Sequence, residues 1–126
     1  MSVLVDTSIW AAHFKQRNEH LVKLLDAGLV VCHPCVVAEL ACGTPPGRAS
    51  LLTMLQELDA APVATIEELL ALIDRQSLSG KGCGFVDVAL LAATMLSGQA
   101  WLWTADKRLH ALAAAAGRAY RPPSAA

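Results

Sequence analysis

The chain has 126 residues, a formal net charge of −1 and a hydrophobic content of 55%. This length predicts a single domain, and so large an apolar share supplies a full core and excludes intrinsic disorder. The nearly balanced charge argues against broad, nonspecific nucleic-acid binding driven by counterion release.

No targeting or membrane segment is predicted. After Met1 and Ser2, only Val3, Leu4 and Val5 precede Asp6, without a basic segment, so the start does not resemble a signal peptide. Asp87 and Glu39 interrupt the two longest apolar stretches, which excludes a membrane span. We therefore expect a cytoplasmic protein whose domain covers residues 1–121, followed by a short tail at 122–126.

Short apolar runs alternate with amphipathic segments along the whole chain. Helices are predicted where a cap or a stripe of apolar residues marks them, the first at 9–14 with Ser8 as its cap. This alternation predicts an α/β fold with a mostly parallel central sheet. The expected strands are 3–5, 29–32, 62–64 and 100–103, with a possible edge strand at 118–120.

Four acidic residues occupy notable positions. Asp6 ends the first buried strand, Glu39 lies among apolar residues of a helix, Asp87 opens an apolar helix, and Asp106 follows the strand at 100–103. Helix capping is an alternative explanation for Asp6 and Asp106, and a favourable place in the helix dipole is one for Asp87. Glu39 has no such explanation.

The four acids are more informative together. Strand ends and helix starts of a parallel sheet share one edge, so these side chains can gather in one cleft. Two like charges ~4 Å apart cost about 4 kcal/mol at an effective dielectric of 20, so a cluster needs a cation. Oxygen ligands favour Mg²⁺, or Mn²⁺, over zinc. Such an ion activates water and stabilises a phosphodiester transition state, which suggests nuclease chemistry.

Four segments that contain these acids, in order, resemble the successive motifs of PIN-domain ribonucleases, and in particular the VapC toxins of bacterial type II toxin–antitoxin systems. They are Val5–Trp10, Val37–Leu40, Gly84–Ala93 and Leu102–Leu109. The resemblance implies a PIN-like three-layer α/β/α domain and a Mg²⁺-dependent endoribonuclease. It also implies a metal-binding catalytic site of Asp6, Glu39, Asp87 and Asp106, a homodimer, an RNA substrate and a VapB-type antitoxin that covers the site.

Other polar residues are candidates for substrate binding. Thr7 and Ser8 offer hydroxyls beside Asp6, and Thr104 lies just before Asp106. The glycine-rich loop at 79–84 lacks the P-loop pattern, so we interpret it as a close backbone approach with Lys81 contacting phosphate. A basic rim around the site is a further hypothesis, with solvated surface as the alternative for its candidates, Lys15, Arg17, Lys107 and Arg108.

The segment Cys32-His33-Pro34-Cys35 has the spacing of a redox motif or half of a zinc site. No second ligand pair follows, so zinc is not expected. We interpret Cys32 and Cys35 as small core residues with free thiols.

Three hypotheses compete with or extend the ribonuclease interpretation. A receiver domain has a similar size, but it needs an acceptor aspartate after a central strand, and the third predicted strand ends on Ala64-Thr65. A non-catalytic PIN module that binds RNA or an antitoxin is the second. The third concerns the antitoxin groove, for which we expect two leucine-rich helices, with Leu21, Leu24 and Leu25 on one and Leu51, Leu52 and Leu55 on the other.

Overall fold

The computed structural model describes residues 1–123, so the last three residues of the predicted tail lie outside the described residues. Seven helices and four strands follow one another. They are β1 (Ser2–Val5), α1 (Thr7–Lys15), α2 (Glu19–Asp26), β2 (Val30–Cys32), α3 (Pro34–Cys42), α4 (Arg48–Glu57), β3 (Asp59–Ala60), α5 (Ile66–Arg75), α6 (Phe85–Ser97), β4 (Ala100–Trp103) and α7 (Lys107–Ala115).

The four strands form one parallel sheet in the order β3-β2-β1-β4. Val3, Leu4 and Val5 of β1 are fully buried, because helices cover both faces of the sheet at its centre. The predicted α/β architecture is confirmed, and the carboxyl ends of β1 and β4 lie side by side, since Val5 pairs with Trp103. Asp6 and Thr104 therefore emerge at the same edge.

Two strand predictions were wrong. The third strand is Asp59–Ala60 rather than 62–64, because it pairs with Val31 and Cys32, and Pro62 has no N–H to continue the ladder. The expected edge strand at 118–120 is reduced to a single parallel bridge between Ala119 and Leu102.

Capping residues set most helix starts. Asp6, not the predicted Ser8, is the N-cap of α1, and its side chain accepts a hydrogen bond from the Thr7 N–H. Pro34 occupies the first turn of α3, as predicted, where a missing N–H costs nothing. Thr65 and Glu68 form the predicted capping box of α5.

Helix α6 is the most buried helix, with every residue from 88 to 94 in the core. Within residues 1–123, no helix is both long enough and apolar enough to cross a membrane. The predicted leucine groove does not form as expected, because Leu21, Leu24 and Leu55 are buried in the core. The other three predicted residues, Leu25, Leu51 and Leu52, are partly buried against it.

Candidate active site

Asp6 is the centre of the acidic edge. It follows the most buried strand and is only 8% exposed. Its Oδ1 accepts a hydrogen bond from the Thr7 N–H at 2.8 Å, and its Oδ2 accepts from Ser8 Oγ at 2.8 Å and Thr104 Oγ1 at 2.7 Å. Three donors fix the carboxylate in one orientation, which is the preorganisation that a metal ligand requires.

The hydroxyls of Ser8 and Thr104 are both engaged by their surroundings. Each donates to Asp6, and each also accepts a backbone N–H at 3.0 Å, from Ala105 to Ser8 and from Asp106 to Thr104. The two oxygens lie 3.3 Å apart. In this structure the two side chains orient Asp6, and the substrate-binding role we expected for them stays a prediction.

Glu39 joins the site through Thr7. The Thr7 hydroxyl donates to Glu39 Oε1 at 2.7 Å, across the contact between α1 and α3. The sequence placed Glu39 among apolar residues, but the structure exposes its side chain on the solvent side of α3. An exposed carboxylate beside Asp6 is free to bind a cation or a basic partner.

Asp106 and Asp87 both occupy helix starts. Asp106 is the N-cap of α7, and its Oδ1 accepts from the Leu109 N–H at 3.0 Å, so the capping interpretation is confirmed. Asp87 lies in the first turn of α6 and accepts from the Gly84 N–H at 3.1 Å. Because α6 packs against β4 and joins it through a tight turn at Gly98, the first turn of α6 lies towards the end of the sheet where β4 ends. Within residues 1–123, no hydrogen bond links Asp87 to the other three acids.

These acids do not form a closed metal cage. Within residues 1–123, no three Asp, Glu, His or Cys side chains approach closely enough to hold a metal ion together. The donors at the edge are carboxylate and hydroxyl oxygens, which suit Mg²⁺. This ion keeps several waters and binds through one or two carboxylates together with substrate phosphates. The chemistry of this donor set fits Mg²⁺, and Asp6 is the carboxylate that the structure orients most firmly.

The hydrogen bonds from the hydroxyls of Ser8 and Thr104 to Asp6 were not predicted from the sequence. The adjacent Asp-Thr-Ser triplet was a usable signal, because Ser and Thr side chains hydrogen-bond locally at strand ends and helix starts. Thr104 gave no such signal, since it lies 98 residues away from Asp6.

An apolar groove opens beside the acidic edge. It has a volume of about 430 Å³ and lies between α1, α3 and the loop at 43–46. Polar side chains of Thr7, Lys15, Glu39 and Thr44 contribute to its lining, and the rest is apolar: Ala11, Phe14, Leu40, Gly43, Pro45 and Pro46. This groove, rather than the predicted leucine helices, is the apolar surface next to the acids.

The Cys-x-x-Cys segment carries no active thiolate. Burial raises the pKa of Cys32 to about 11, and burial together with the charge of Glu39 raises the pKa of Cys35. Both thiols are free and protonated at neutral pH. The His33 Nδ1 accepts from the Cys35 N–H, so this histidine caps α3. The interpretation of Cys32 as a core residue is confirmed, whereas Cys35 is partly exposed.

Sequence comparison shows which known proteins the chain resembles. The PIN domain family matches residues 3–115, a range that contains all four acids. Two curated proteins, both named Ribonuclease VapC32 and from two strains of Mycobacterium tuberculosis, are each 44% identical to the chain over 115 residues. The aligned region covers 91% of this chain and 93% of each relative.

Proposed function

The chain belongs to the PIN domain family and, within it, groups with the VapC ribonucleases, and from this membership we propose that it is a Mg²⁺-dependent endoribonuclease. It acts in the cytoplasm as the toxin of a toxin–antitoxin pair. Its catalytic and metal-binding residues are Asp6, Glu39, Asp87 and Asp106. The receiver-domain alternative is excluded, because the family is a different one.

The observation that carries this proposal is the orientation of Asp6 at the carboxyl end of β1. Two hydroxyls and one backbone N–H hold the buried carboxylate. Thr7 links it to the Glu39 carboxylate, and Thr104 links it to the backbone N–H of Asp106. For a carboxylate that only caps α1, the single bond from Thr7 is sufficient. The two additional hydroxyls are explained by a need to fix its orientation.

The four carboxylates have distinct tasks in the proposed reaction. Asp6 and Asp87 are the residues we assign to direct metal ligation, and Mg²⁺, when bound, supplies activation of water and neutralises charge that develops on the phosphate. Glu39 and Asp106 orient the attacking water and accept its proton. Water attacks phosphorus, the bond from phosphorus to the leaving ribose oxygen breaks, and that oxygen takes up a proton from solvent to become a hydroxyl. Ser8 and Thr104 prevent Asp6 from rotating during this step.

The test is cleavage of a labelled single-stranded RNA by the purified chain. We expect cleavage with Mg²⁺, none with EDTA, and none by Asp6→Asn with or without Mg²⁺. Asp26→Asn is the matched control, because Asp26 is an exposed aspartate in α2 away from the acidic edge. Full activity of Asp6→Asn contradicts the proposal. A folded wild-type chain that binds RNA without cleaving it favours the non-catalytic module instead.

We place the antitoxin in the apolar groove between α1, α3 and the 43–46 loop. An antitoxin segment that buries apolar side chains there can put an arginine against Glu39, whose second oxygen has no hydrogen bond to any residue from 1 to 123. We expect a small protein encoded beside this one to copurify with it and to abolish its toxicity. Phe14→Asp, at the apolar part of the groove, should weaken that complex while RNA cleavage persists. Equal binding by Phe14→Asp contradicts this placement.

The homodimer is assigned to the exposed face of α5. Ile66 and Leu70 lie one turn apart on this helix and are 57% and 58% exposed. Packing of this apolar face against the same face of a second copy would remove both side chains from water in a symmetric interface. Light scattering after gel filtration should find a dimer that Leu70→Glu converts to a monomer, whereas Ala111→Glu on exposed α7 does not. A monomeric wild-type chain would refute the homodimer assignment.

A further inference from the structure

Arg108 packs directly against the backbone of Gly82. Its Nη1 donates to the Gly82 carbonyl at 3.1 Å. A Cβ on Gly82 would lie 2.4 Å from Arg108 Nη1 and 2.8 Å from Cζ, and the residue has φ +79. The guanidinium occupies the space that a Cβ would take, and the positive φ is itself a conformation that favours glycine.

This contact joins two segments that carry the acids. The loop at 79–84 ends where the Gly84 N–H binds Asp87. Helix α7 begins at Asp106, whose N–H binds Thr104. Arg108 thus ties the loop before Asp87 to the helix after Asp106, and its guanidinium lies beside the acidic edge.

The charges around this contact lack an internal partner. Lys81, Lys107 and Arg108 are exposed, and the single ion pair within residues 1–123 joins Arg17 to Glu19. Lys107 and Arg108 also occupy the first turn of α7, where the helix dipole disfavours cations. Neither helix stability nor ion pairing explains these cations, whereas an anionic ligand at the acidic edge does.

We propose that Arg108, seated on Gly82, binds a backbone phosphate of the RNA next to the scissile phosphodiester, with Lys81 beside it. The inference rests on the proposed ribonuclease function. One N–H of the guanidinium holds the loop carbonyl. Its other N–H groups have no hydrogen bond to any residue from 1 to 123, and a guanidinium offers them in a planar fork that matches phosphate oxygens. In this arrangement the phosphate binds on the α7 side of the acidic edge, and the groove between α1 and α3 stays available for the antitoxin.

The test measures RNA binding without cleavage. Asp6→Asn protein without Mg²⁺ is titrated into a fluorescent single-stranded RNA at several salt concentrations. Loss of one phosphate contact should weaken binding about fivefold at low salt. It should also reduce the slope of log K against log salt by about 0.7. We expect both effects from Arg108→Gln. Arg108→Lys keeps the charge but loses the planar fork, so its salt slope should stay near the wild-type value while its affinity falls.

Arg48 provides a matched control for Arg108. It lies at the start of α4 and donates two hydrogen bonds to the Ala41 carbonyl, so it makes the same kind of contact at the carboxyl end of α3 and not next to Asp87 and Asp106. Arg48→Gln should leave the salt slope unchanged. A slope for Arg108→Gln equal to that for Arg48→Gln overturns the proposal, as does undetectable RNA binding by the Asp6→Asn protein.

Two glycines of the same loop separate backbone strain from displacement of the arginine. Gly80 has φ +76, and an alanine methyl group there would meet nothing within 4 Å, whereas one on Gly82 would meet Arg108. Both alanine variants strain the loop, but only Gly82→Ala should weaken RNA binding as Arg108→Gln does. The double variant Gly82→Ala with Arg108→Gln should bind RNA no more weakly than Arg108→Gln alone. Identical binding by the two alanine variants refutes the role of the contact. These results are independent of RNA cleavage by the wild-type chain, which tests the proposed function.

Discussion

Replacing Thr104 by valine tests whether the orientation of Asp6 matters. Valine keeps the shape of threonine but removes the hydroxyl that donates to Asp6 Oδ2 at 2.7 Å. A hydrogen bond to a charged group contributes about 1.5–3 kcal/mol. The Asp106 N–H also loses its acceptor, but it lies at an exposed residue where water can replace it. We therefore expect the free energy of unfolding to fall by about 2 kcal/mol, or roughly 8 °C in Tm.

The effect on activity should exceed the effect on folding. Loss of a partner that orients a metal ligand costs about 10- to 100-fold in activity or metal affinity. We expect kcat to fall within that range and KM for RNA to change little, because Thr104 is only 8% exposed. Thr104→Ser keeps the hydroxyl and loses one methyl, so its kcat should stay near that of the wild type. A wild-type kcat for Thr104→Val, or equal losses in both variants, refutes the reasoning.

Three further predictions concern the acids, the thiols and one buried histidine. Without metal, Asp6→Asn should lower Tm, because an amide cannot accept all three hydrogen bonds. Asp106→Asn should preserve Tm, because asparagine caps helices equally well. A higher Tm for Asp6→Asn would indicate that charge repulsion between the acids dominates. Replacing Cys32 by Ala and Cys35 by Val should keep RNA cleavage within a few-fold of the wild type, and stoichiometric zinc in the purified protein would contradict this. Burial lowers the pKa of His33 from 6.5, so below pH 6.5 the unfolded chain binds more protons than the folded chain, and the free energy of unfolding decreases as the pH is lowered. Denaturant unfolding at pH 7 and pH 5 should therefore show a smaller decrease in the free energy of unfolding for His33→Asn than for the wild type.

The elements that could be predicted are those that local sequence determines. β1 and β4 are apolar runs buried on both faces, and the prediction of 100–103 for β4 matches the structure. Pro34 and the Thr65 capping box mark helix starts by their own chemistry. At these positions the residue carries its structural preference with it, so no knowledge of distant contacts is needed.

The elements that could not be predicted depend on contacts between distant segments. β3 is only two residues long and exists because Val31 and Cys32 offer it a partner, while the apolar run after it has none within residues 1–123. The exposure of Glu39 depends on which face of α3 packs against the sheet, and its apolar neighbours in sequence do not reveal this. The hydrogen bond from Thr104 to Asp6 joins residues that lie 98 positions apart in the sequence.

The central claim is that the acidic edge cleaves RNA as one metal-dependent unit. The most direct measurement is the single-turnover cleavage rate as a function of Mg²⁺ concentration, for the wild-type chain and for Asp6→Asn, Glu39→Gln, Asp87→Asn and Asp106→Asn. We predict a saturable dependence on Mg²⁺ for the wild type, no cleavage in EDTA, and a loss of at least 100-fold in every variant at saturating Mg²⁺, on the order of the loss from removing a catalytic group. Cleavage that is independent of Mg²⁺, or wild-type rates in Asp6→Asn, would contradict the claim.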